Sequence, residues 1–329
     1  MEGENVNLNN IIINMKKIIS QIISICLSTS LLLLTGCQNN TLEVRDRAYV
    51  QSALFSEKNN ITITLYPFEG ENKCSIGRGH TISDAVENAS VLWGKDVFMG
   101  HIELLCFDRS DFTDKLESCL YDYRISPSCK LIFLSSDSRI SEDSDMTLLT
   151  DRLIMEEKNG RIPETDLFHI LSEKKDDDGS MLIPAITKNG LSMCILKDGK
   201  SHTVSEKSAA GLCWLRGENY PNRISVYGEN GAEDYEIYSA KTNLSAEIKD
   251  NIPHIKVKIS IKGSGNAEAA KGIIKSECTD AVKDTLKTAE SDVIGFGRCL
   301  AKYCPEYYSS QDFSTAKWAS VFDFDIDFA

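Results

Sequence analysis

His254-Ile255-Lys256-Val257-Lys258-Ile259-Ser260-Ile261-Lys262 alternates β-branched apolar side chains with polar ones. Because successive side chains of a strand point to opposite sides, this period of two predicts a strand with one face in the core. Gly263-Ser264-Gly265-Asn266 breaks the strand, and apolar residues then recur every three or four positions as far as Ile294. That spacing predicts one long amphipathic helix after the strand.

A second alternating segment, Val321–Phe328, has four apolar residues on one face and Asp323, Asp325 and Asp327 on the other. A paired register would set this aspartate row beside the lysine row of the first segment, so we predict that the two strands are neighbours in one sheet. Each exposed cross-strand pair contributes only about 0.2–1 kcal/mol, so the charges guide register more than stability. The alternative for the three aspartates is a metal site.

Strands and helices also alternate through the rest of the chain, which predicts sheets with helices packed on them. We therefore predict an α+β fold of several domains, with small mixed or antiparallel sheets. The strands expected are Leu42–Phe55, Ile61–Tyr66, His101–Phe107, Lys130–Ser135, Leu191–Leu196, Arg223–Tyr227 and Tyr235–Lys241. The helices expected are one capped near Thr81 and ending near Leu92, and Asp111–Tyr121. Ser136–Asp151 and Lys174–Ser180 are polar and are expected to be surface loops, while Lys58-Asn59-Asn60 and Lys197-Asp198-Gly199-Lys200 are expected to be hairpin turns.

The N-terminal region has the features of a lipoprotein signal peptide. Met15-Lys16-Lys17 gives a basic start, Ile18–Leu34 is apolar and uncharged, and Leu34-Thr35-Gly36-Cys37 ends the segment. Small residues before a cysteine fit a cleavage site at which the thiol receives a diacylglyceryl group. We expect cleavage after Gly36 and lipid attachment at Cys37; the alternative is an uncleaved anchor helix.

The charge balance excludes some partners. The chain has 36 Lys and Arg residues against 49 Asp and Glu residues, a net charge of −13. The leader contributes two residues of each sign, so the remainder is also at −13. An acidic surface disfavours nucleic acid and electrostatic adhesion to anionic lipid. We expect no nucleic-acid partner, and membrane attachment through acyl chains.

Eleven cysteines are present, and nine of them follow Cys37. The number is odd, no Cys-x-x-Cys pair occurs, and Cys106, Cys194 and Cys213 lie inside apolar runs. A free cysteine behaves as a small, readily buried hydrophobic residue, so we expect mostly reduced core thiols. The alternative is one disulfide bond among Cys74, Cys119 and Cys129.

No motif for an enzyme or a cofactor site is found. The chain lacks His-Glu-x-x-His, Gly-x-Ser-x-Gly and Gly-x-x-x-x-Gly-Lys, and its five histidines have no ligand spacing. Asp176-Asp177-Asp178 lacks the alternation of a calcium loop. We expect a non-enzymatic protein with no catalytic residue, no cofactor and no metal site.

Several segments resemble one known family. They are Gly211-Leu212-Cys213-Trp214-Leu215-Arg216-Gly217-Glu218, then Ser291-Asp292-Val293-Ile294-Gly295-Phe296-Gly297, then Pro305, Trp318 and the Phe-rich final strand, with weaker likeness at Leu42–Ala48 and Gly100-His101. This order is similar to that of the Ger(x)C spore germination lipoproteins, the C subunits of nutrient germinant receptors. The chain differs from the family in its shorter middle region, its many cysteines, and Gln38-Asn39-Asn40 in place of Trp-Asp-Arg after the lipidated cysteine.

The resemblance implies a receptor subunit. It implies a signal peptide at residues 1–36, an N-terminal germination-protein domain at 37–182 that can include a small middle subdomain, and a C-terminal germination-protein domain at 183–329. It also implies attachment through Cys37 to the outer face of the inner spore membrane, integral membrane A and B subunits as partners, and no catalytic activity.

Within the C-terminal domain, Trp214, Arg216 and Glu218 form a possible interaction segment, since Trp and Arg are favoured in interfaces. The alternative is that Trp214 is a core residue. The alternative function is a solute-binding lipoprotein of a transporter, although such proteins have two similar lobes around a cleft and the two halves here differ.

Overall fold

The computed structural model describes residues 15–24 and 47–328, apart from 58–59, 69–73, 136–137, 142, 177–178, 189, 219, 229–230 and 311–321. The chain divides into two compact units, Met1–Arg47 and Ala48–Ala329. In the first unit, residues 15–24 form a helix whose side chains are exposed. Cys37, the expected site of lipid attachment, lies outside the described residues. None of the helices described has the combination of length and apolar character that a membrane span requires.

The second unit contains a nine-stranded sheet, sheet A, with strand order β3-β2-β1-β5-β6-β7-β8-β9, and β4 pairs with β1. Its strands are β1 (Arg47–Glu57), β2 (Ile61–Pro67), β3 (Ser75–Gly79), β4 (Asp96–Phe98), β5 (Leu104–Phe107), β6 (Lys130–Leu134), β7 (Met181–Thr187), β8 (Gly190–Lys197) and β9 (Lys200–Val204). The central strands β1, β5, β6 and β7 run parallel, while β2 with β3 on one side and β8 with β9 on the other are antiparallel. Sheet A is therefore mixed, and the predicted hairpin of β1 and β2 is confirmed.

Helices cover both faces of sheet A. On one face, buried residues of the sheet pack with α1 (Ile82–Trp93), α2 (Leu116–Tyr121) and α4 (Leu167–Asp176). On the other face they pack with α3 (Met146–Lys158) and α5 (Glu206–Arg216). Strand β1 buries Phe55 on the first face and Leu54 on the second. Strand β5 likewise buries Phe107 on the first face and Cys106 on the second. Because neighbouring side chains in a strand point to opposite faces, central strands covered on both sides are apolar throughout.

A second, four-stranded sheet, sheet B, has the order β10-β11-β12-β13. Its strands are β10 (Arg223–Gly228), β11 (Gly231–Lys249), β12 (Ile252–Ser264) and β13 (Phe322–Phe328). On β12, Ile255, Val257, Ile259 and Ile261 are buried, as their alternation predicts. They share a core with α5 and with α6 (Ala267–Val282), which follows Asn266 and continues as one π-helical turn, Lys283–Thr288.

The predicted pairing of the two alternating strands is confirmed. Strands β12 and β13 are parallel neighbours, and the register sets Lys256 opposite Asp323 and Lys258 opposite Asp325. The lysine row and the aspartate row thus lie side by side along the backbone.

Three predictions of secondary structure are wrong. The segment Lys174–Ser180 was expected to be a loop, but α4 extends through its first residues to Asp176. Helix α3 begins at Met146, inside the segment Ser136–Asp151 that was expected to be a loop. The helix after Asn266 ends at Thr288, before the expected Ile294, because the chain turns at Glu290, where φ is 51°. The predicted helix Asp111–Tyr121 is a 3-10 helix, Ser110–Lys115, followed directly by α2. The remaining described helices are α7 (Phe296–Tyr303) and α8 (Pro305–Ser310).

The α+β class with packed helices is confirmed. The predicted boundary between residues 182 and 183 falls within β7, which pairs with β6 on one side and β8 on the other. Sheet A is continuous through that position. The domain limits at 37–182 and 183–329 stay a prediction.

Candidate functional site: a buried junction around Arg216

The segment Gly211–Glu218 forms the second half of α5 and its C-terminal cap. Gly217 ends the helix with a φ of 73°, a left-handed conformation that glycine adopts without strain. Gly211 lies where α5 crosses α6, and a Cβ atom there would be 2.1 Å from the carbonyl oxygen of Glu277. Only a glycine permits the two helices to approach this closely.

Trp214 is a core residue. Its side chain is completely buried, and its ring packs against that of Tyr220, with centroids 5.2 Å apart. The indole Nε1 donates a hydrogen bond of 3.1 Å to Oε2 of Glu277, and the Thr242 hydroxyl donates one of 2.6 Å to the Trp214 carbonyl. The alternative that Trp214 is a core residue is therefore confirmed.

Arg216 joins three separate segments of the chain. Its guanidinium forms ion pairs with Glu173 of α4 and with Glu218, and Nη1 donates a hydrogen bond of 3.0 Å to the carbonyl of Val293. The side chains of Arg216 and Glu173 are 4% and 9% exposed, and that of Glu218 is 31% exposed. Burial lowers the pKa of Arg216, but the charges of the two glutamates outweigh this effect and raise it above its ordinary value. The guanidinium of Arg216 therefore stays protonated at any physiological pH.

The loop Ser291–Gly297 reaches the same place from the other direction. The carboxylate of Asp292 is buried and accepts hydrogen bonds from the backbone N–H groups of Gly295, Phe296 and Gly297, at 3.0, 2.9 and 2.5 Å. These groups open α7 and would otherwise lack partners in the helix. Gly295 has a φ of 89°, so the position favours glycine. The Asp-x-x-Gly-Phe-Gly pattern is thus the N-terminal cap of α7.

The two segments that carry the family resemblance meet at this point. We use the name Arg216 junction for the group formed by Arg216, Glu173, Glu218 and the carbonyl of Val293. A cavity of about 380 Å³ adjoins it, and Arg298 and Lys302 of α7 lie on its wall. Of the predicted interaction segment, Trp214 and Arg216 are buried and Glu218 is half-buried. A contact of this segment with a partner stays a prediction, and Glu218 is the residue best placed to make it.

Two residues of this region, Glu173 and Glu277, were not singled out from the sequence. Both lie on apolar helix stripes: Glu277 is three residues after Ile274 and four before Ala281, and Glu173 is three after Ile170. A charged residue at a stripe position has to find a partner in the core, which is the signal that could have identified both.

One group of side chains has the composition of a metal site. The ligand atoms of Glu164, Asp166 and His169 lie within 4.8 Å of one another. Asp166 already accepts hydrogen bonds of 2.9 Å from the backbone N–H and the Nδ1 atom of His169. Partial burial lowers the pKa of His169, but Asp166 and then Glu164 and Glu218 outweigh it and raise the pKa. The two hydrogen bonds between His169 and Asp166 account for the closeness of these side chains.

The nine cysteines after Cys37 are free thiols, and seven are buried. Only Cys74 and Cys304 are partly exposed. Burial raises the pKa of Cys119 and Cys194 to about 12 and that of Cys299 to about 11, so these thiols stay protonated and unreactive. The prediction of reduced core thiols is confirmed, and no disulfide bond links Cys74, Cys119 and Cys129.

Comparison with known proteins agrees with this architecture. The chain matches a family model for the spore germination protein N-terminal domain over residues 40–188, and one described as "Spore germination B3/ GerAC like, C-terminal" over residues 192–328. Between residues 40 and 328, only 189–191 are left unmatched.

A solved structure described as the crystal structure of the GerBC protein has a similar fold, with a TM-score of 0.55 and 12% sequence identity. The likeness covers 84% of this chain and 96% of that chain, and at this identity it bears on the fold alone. No curated protein sequence matches the chain. With both of its domains matched by spore germination models in consecutive order, the chain belongs to the Ger(x)C family of spore germination proteins.

Proposed function

We propose that this chain is the lipid-anchored C subunit of a spore nutrient germinant receptor, acting with integral membrane A and B subunits to trigger germination. The observation that carries this proposal is the match of both spore germination models, over residues 40–188 and 192–328. A chain with both domains of the family, in order, has the parts that the family's role requires.

The anchor in this proposal is a diacylglyceryl group on Cys37, at the outer face of the inner spore membrane. Leu34-Thr35-Gly36-Cys37 supports it as a lipobox that follows a basic start and an apolar run. A net charge of −13 repels anionic lipid, so attachment depends on the acyl chains, where each buried methylene contributes about 0.8 kcal/mol.

We further propose that the subunit is non-enzymatic and that the Arg216 junction is a rigid support for partner contacts. The charged groups of the junction are directed at each other, Arg216 at Glu173 and Glu218. In the adjoining loop, the carboxylate of Asp292 is directed at the N-terminus of α7. Charged groups used in this way fix the positions of α4, α5 and α7, which is a structural task. Glu218 and the neighbouring cavity then lie where a partner can reach them.

The test is co-purification from detergent-solubilised spore membranes with a tagged wild-type chain, a Cys37→Ala variant and a Cys26→Ala variant. Cys26 lies within the apolar run of the leader, so its substitution is a matched control that leaves the lipobox intact. We expect the wild type and Cys26→Ala to recover two multi-span membrane subunits, and Cys37→Ala to recover much less of both.

Three results would contradict the proposal. Recovery of the chain alone, or with the membrane subunits of a transporter, would replace the receptor assignment. Equal recovery of the A and B subunits with Cys37→Ala would overturn the role of the lipid.

A further inference from the structure

A second cavity, unrelated to the Arg216 junction, lies on the other side of α5. It has a volume of about 530 Å³ and is bounded by α3, β8, the N-terminal half of α5 and the middle of α6. We call it the Glu277 pocket after the residue that α6 contributes. Its volume is within the range of small-molecule sites, about 300–1,000 Å³.

Apolar side chains form one part of the lining of the Glu277 pocket, and charged and polar side chains form the other. Leu191 and Ala210 are half-buried and give the pocket its accessible apolar surface, while Ile162, Met193 and Ala209 also line it but are buried. Water in contact with such a surface is displaced favourably by an apolar group. The pocket therefore suits a ligand with a small hydrocarbon body.

Two carboxylates at this site are half-buried, and one of them, Glu156, is paired with Arg161; the other is Glu277. Its Oε2 accepts the hydrogen bond from Trp214, and its Oε1 has no hydrogen-bond donor among the described residues. Burial raises the pKa of Glu277 to about 7, although the Trp214 hydrogen bond and the charge of Lys207 both act to lower it. A carboxylate in this position is incompletely compensated, and a cation beside Oε1 would stabilise its ionised form.

None of the basic residues described around the pocket forms an ion pair with Glu277. Lys207 Nζ is held by Asp280 at 2.7 Å and by the Ser276 hydroxyl at 2.6 Å. Arg161 is paired with Glu156 at 3.3 Å.

Two further charged residues on the wall of the pocket, Glu206 and Arg152, have no charged partner among the described residues. Counted with Glu277, the unpaired groups are two carboxylates and one guanidinium. When Glu277 is ionised, the excess among these unpaired groups is negative, which favours a cationic ligand over an anionic one.

We propose that the Glu277 pocket binds a small primary alkylammonium ion, with the ammonium group at Oε1 of Glu277 and the hydrocarbon body against Leu191 and Ala210. The ammonium donates to the oxygen that Trp214 leaves free, and Glu206 adds a second negative charge at the wall. This site does not depend on the receptor assignment, and its test uses the purified chain alone.

The experiment is a titration of the full chain in detergent, followed through the indole N–H signals of ¹⁵N-labelled tryptophan. Trp214 reports directly, because its N–H is bonded to Glu277; Trp93→Phe and Trp318→Phe variants assign its signal. The probes are 3-methylbutylamine, 4-methylpentanoate and 3-methylbutanol, which share a branched hydrocarbon body and differ in charge. We expect the amine to shift the Trp214 signal saturably, and the anion and the alcohol to bind at least about tenfold more weakly.

Binding should also depend on pH, because an ammonium ion favours ionised Glu277. The charged groups that face Glu277 are Lys207 and Glu206 on α5, Arg152 and Glu156 on α3, Asp280 on α6, and Arg161. No histidine is among the residues described in the lining, and burial raises the pKa of Glu277 to about 7. The amine should bind roughly tenfold more weakly at pH 6 than at pH 8.

Three variants isolate the carboxylate. Glu277→Gln keeps an acceptor for Trp214 and removes the charge, so it should lose at least about tenfold in amine affinity. Glu206→Gln should lose a smaller factor, and it tests the proposal even if Glu277→Gln does not fold. Glu268→Gln, an exposed change at the start of the same helix, is the control and should bind as the wild type does.

The proposal is wrong if the amine leaves the Trp214 signal unchanged, if the anion or the alcohol binds as tightly as the amine, or if folded Glu277→Gln binds the amine with unchanged affinity. Unchanged affinity between pH 6 and pH 8 would likewise place the ammonium away from Glu277.

Discussion

At the scale of single residues, Arg216 has the largest consequences, because its guanidinium contacts α4, the end of α5 and the loop before α7. Its partner Glu173 is 9% exposed, so water cannot solvate this carboxylate when the guanidinium is removed. Removing one member of a buried ion pair leaves the other charge uncompensated, which typically costs about 3–5 kcal/mol. We expect Arg216→Ala to lower the free energy of unfolding by that amount, measured by urea denaturation.

The control for this prediction is Arg223→Ala. Arg223 pairs with Asp234 at 3.4 Å, but their side chains are 71% and 42% exposed, and exposed pairs contribute at most about 1 kcal/mol. A double variant, Arg216→Ala with Glu173→Ala, removes the uncompensated carboxylate and should be more stable than Arg216→Ala alone. Equal stability of the two would show that the lost packing of Arg216, and not the remaining charge of Glu173, causes the defect.

At the scale of elements, the crossing of α5 and α6 depends on Gly211. A methyl group at this position would meet the Glu277 carbonyl at 2.1 Å, and backbone cannot move aside without separating the helices. Overpacking of this kind costs about 1–3 kcal/mol. We expect Gly211→Ala to destabilise the protein by that amount in thermal or urea unfolding, despite the higher helix propensity of alanine.

Gly272 provides a matched comparison on the partner helix. It lies on the exposed side of α6, and a Cβ atom there would have nothing within 4 Å. In an exposed helix interior, alanine is favoured over glycine by about 1 kcal/mol, so Gly272→Ala should stabilise the protein. If both variants behave alike, the helix crossing is not the reason for glycine at position 211.

The elements also show which structural features a sequence can reveal. The pairing of β12 with β13 was predictable because Lys256 and Lys258 carry charges opposite to those of Asp323 and Asp325. Such a complementary pattern can be recognised even between segments that are far apart in the chain. The cap at Thr81 was predictable for a local reason: its side chain and that of Asp84 bond each other's backbone.

Helix α3 and the Arg216 junction show what a sequence conceals. The buried stripe of α3 consists of Met146, Thr150, Leu153 and Glu157, and its two polar members interrupt the apolar period. Glu157 belongs in the core only because Lys130 and Thr165 bond to it. In the Arg216 junction, likewise, Glu173 and Arg216 are far apart in the chain. They meet only after α4 and α5 have packed on sheet A. Partners fixed by tertiary structure leave no local pattern.

At the scale of the whole molecule, Glu277 links folding stability to pH. Its pKa is raised by burial from 4.5 to about 7, so between these values the folded chain holds a proton that the unfolded chain has released. Stability therefore falls as pH rises from 4.5 to about 7, and it is constant with respect to this group above and below that window. A shift of this size corresponds to about 3 kcal/mol.

The measurement is urea unfolding of the wild type and Glu277→Gln at several pH values, without ligand. Glutamine resembles the protonated acid, so the two proteins should be equally stable near pH 4. Glu277→Gln should then gain on the wild type by up to about 3 kcal/mol as pH rises to 7, with no further gain above pH 8. Groups such as His169 titrate in both proteins and cancel in the difference, and Glu268→Gln should show no such trend. A difference that is flat from pH 4 to pH 8 would mean that solvent reaches Glu277 freely, and the same result would remove the electrostatic basis for an ammonium site at its carboxylate.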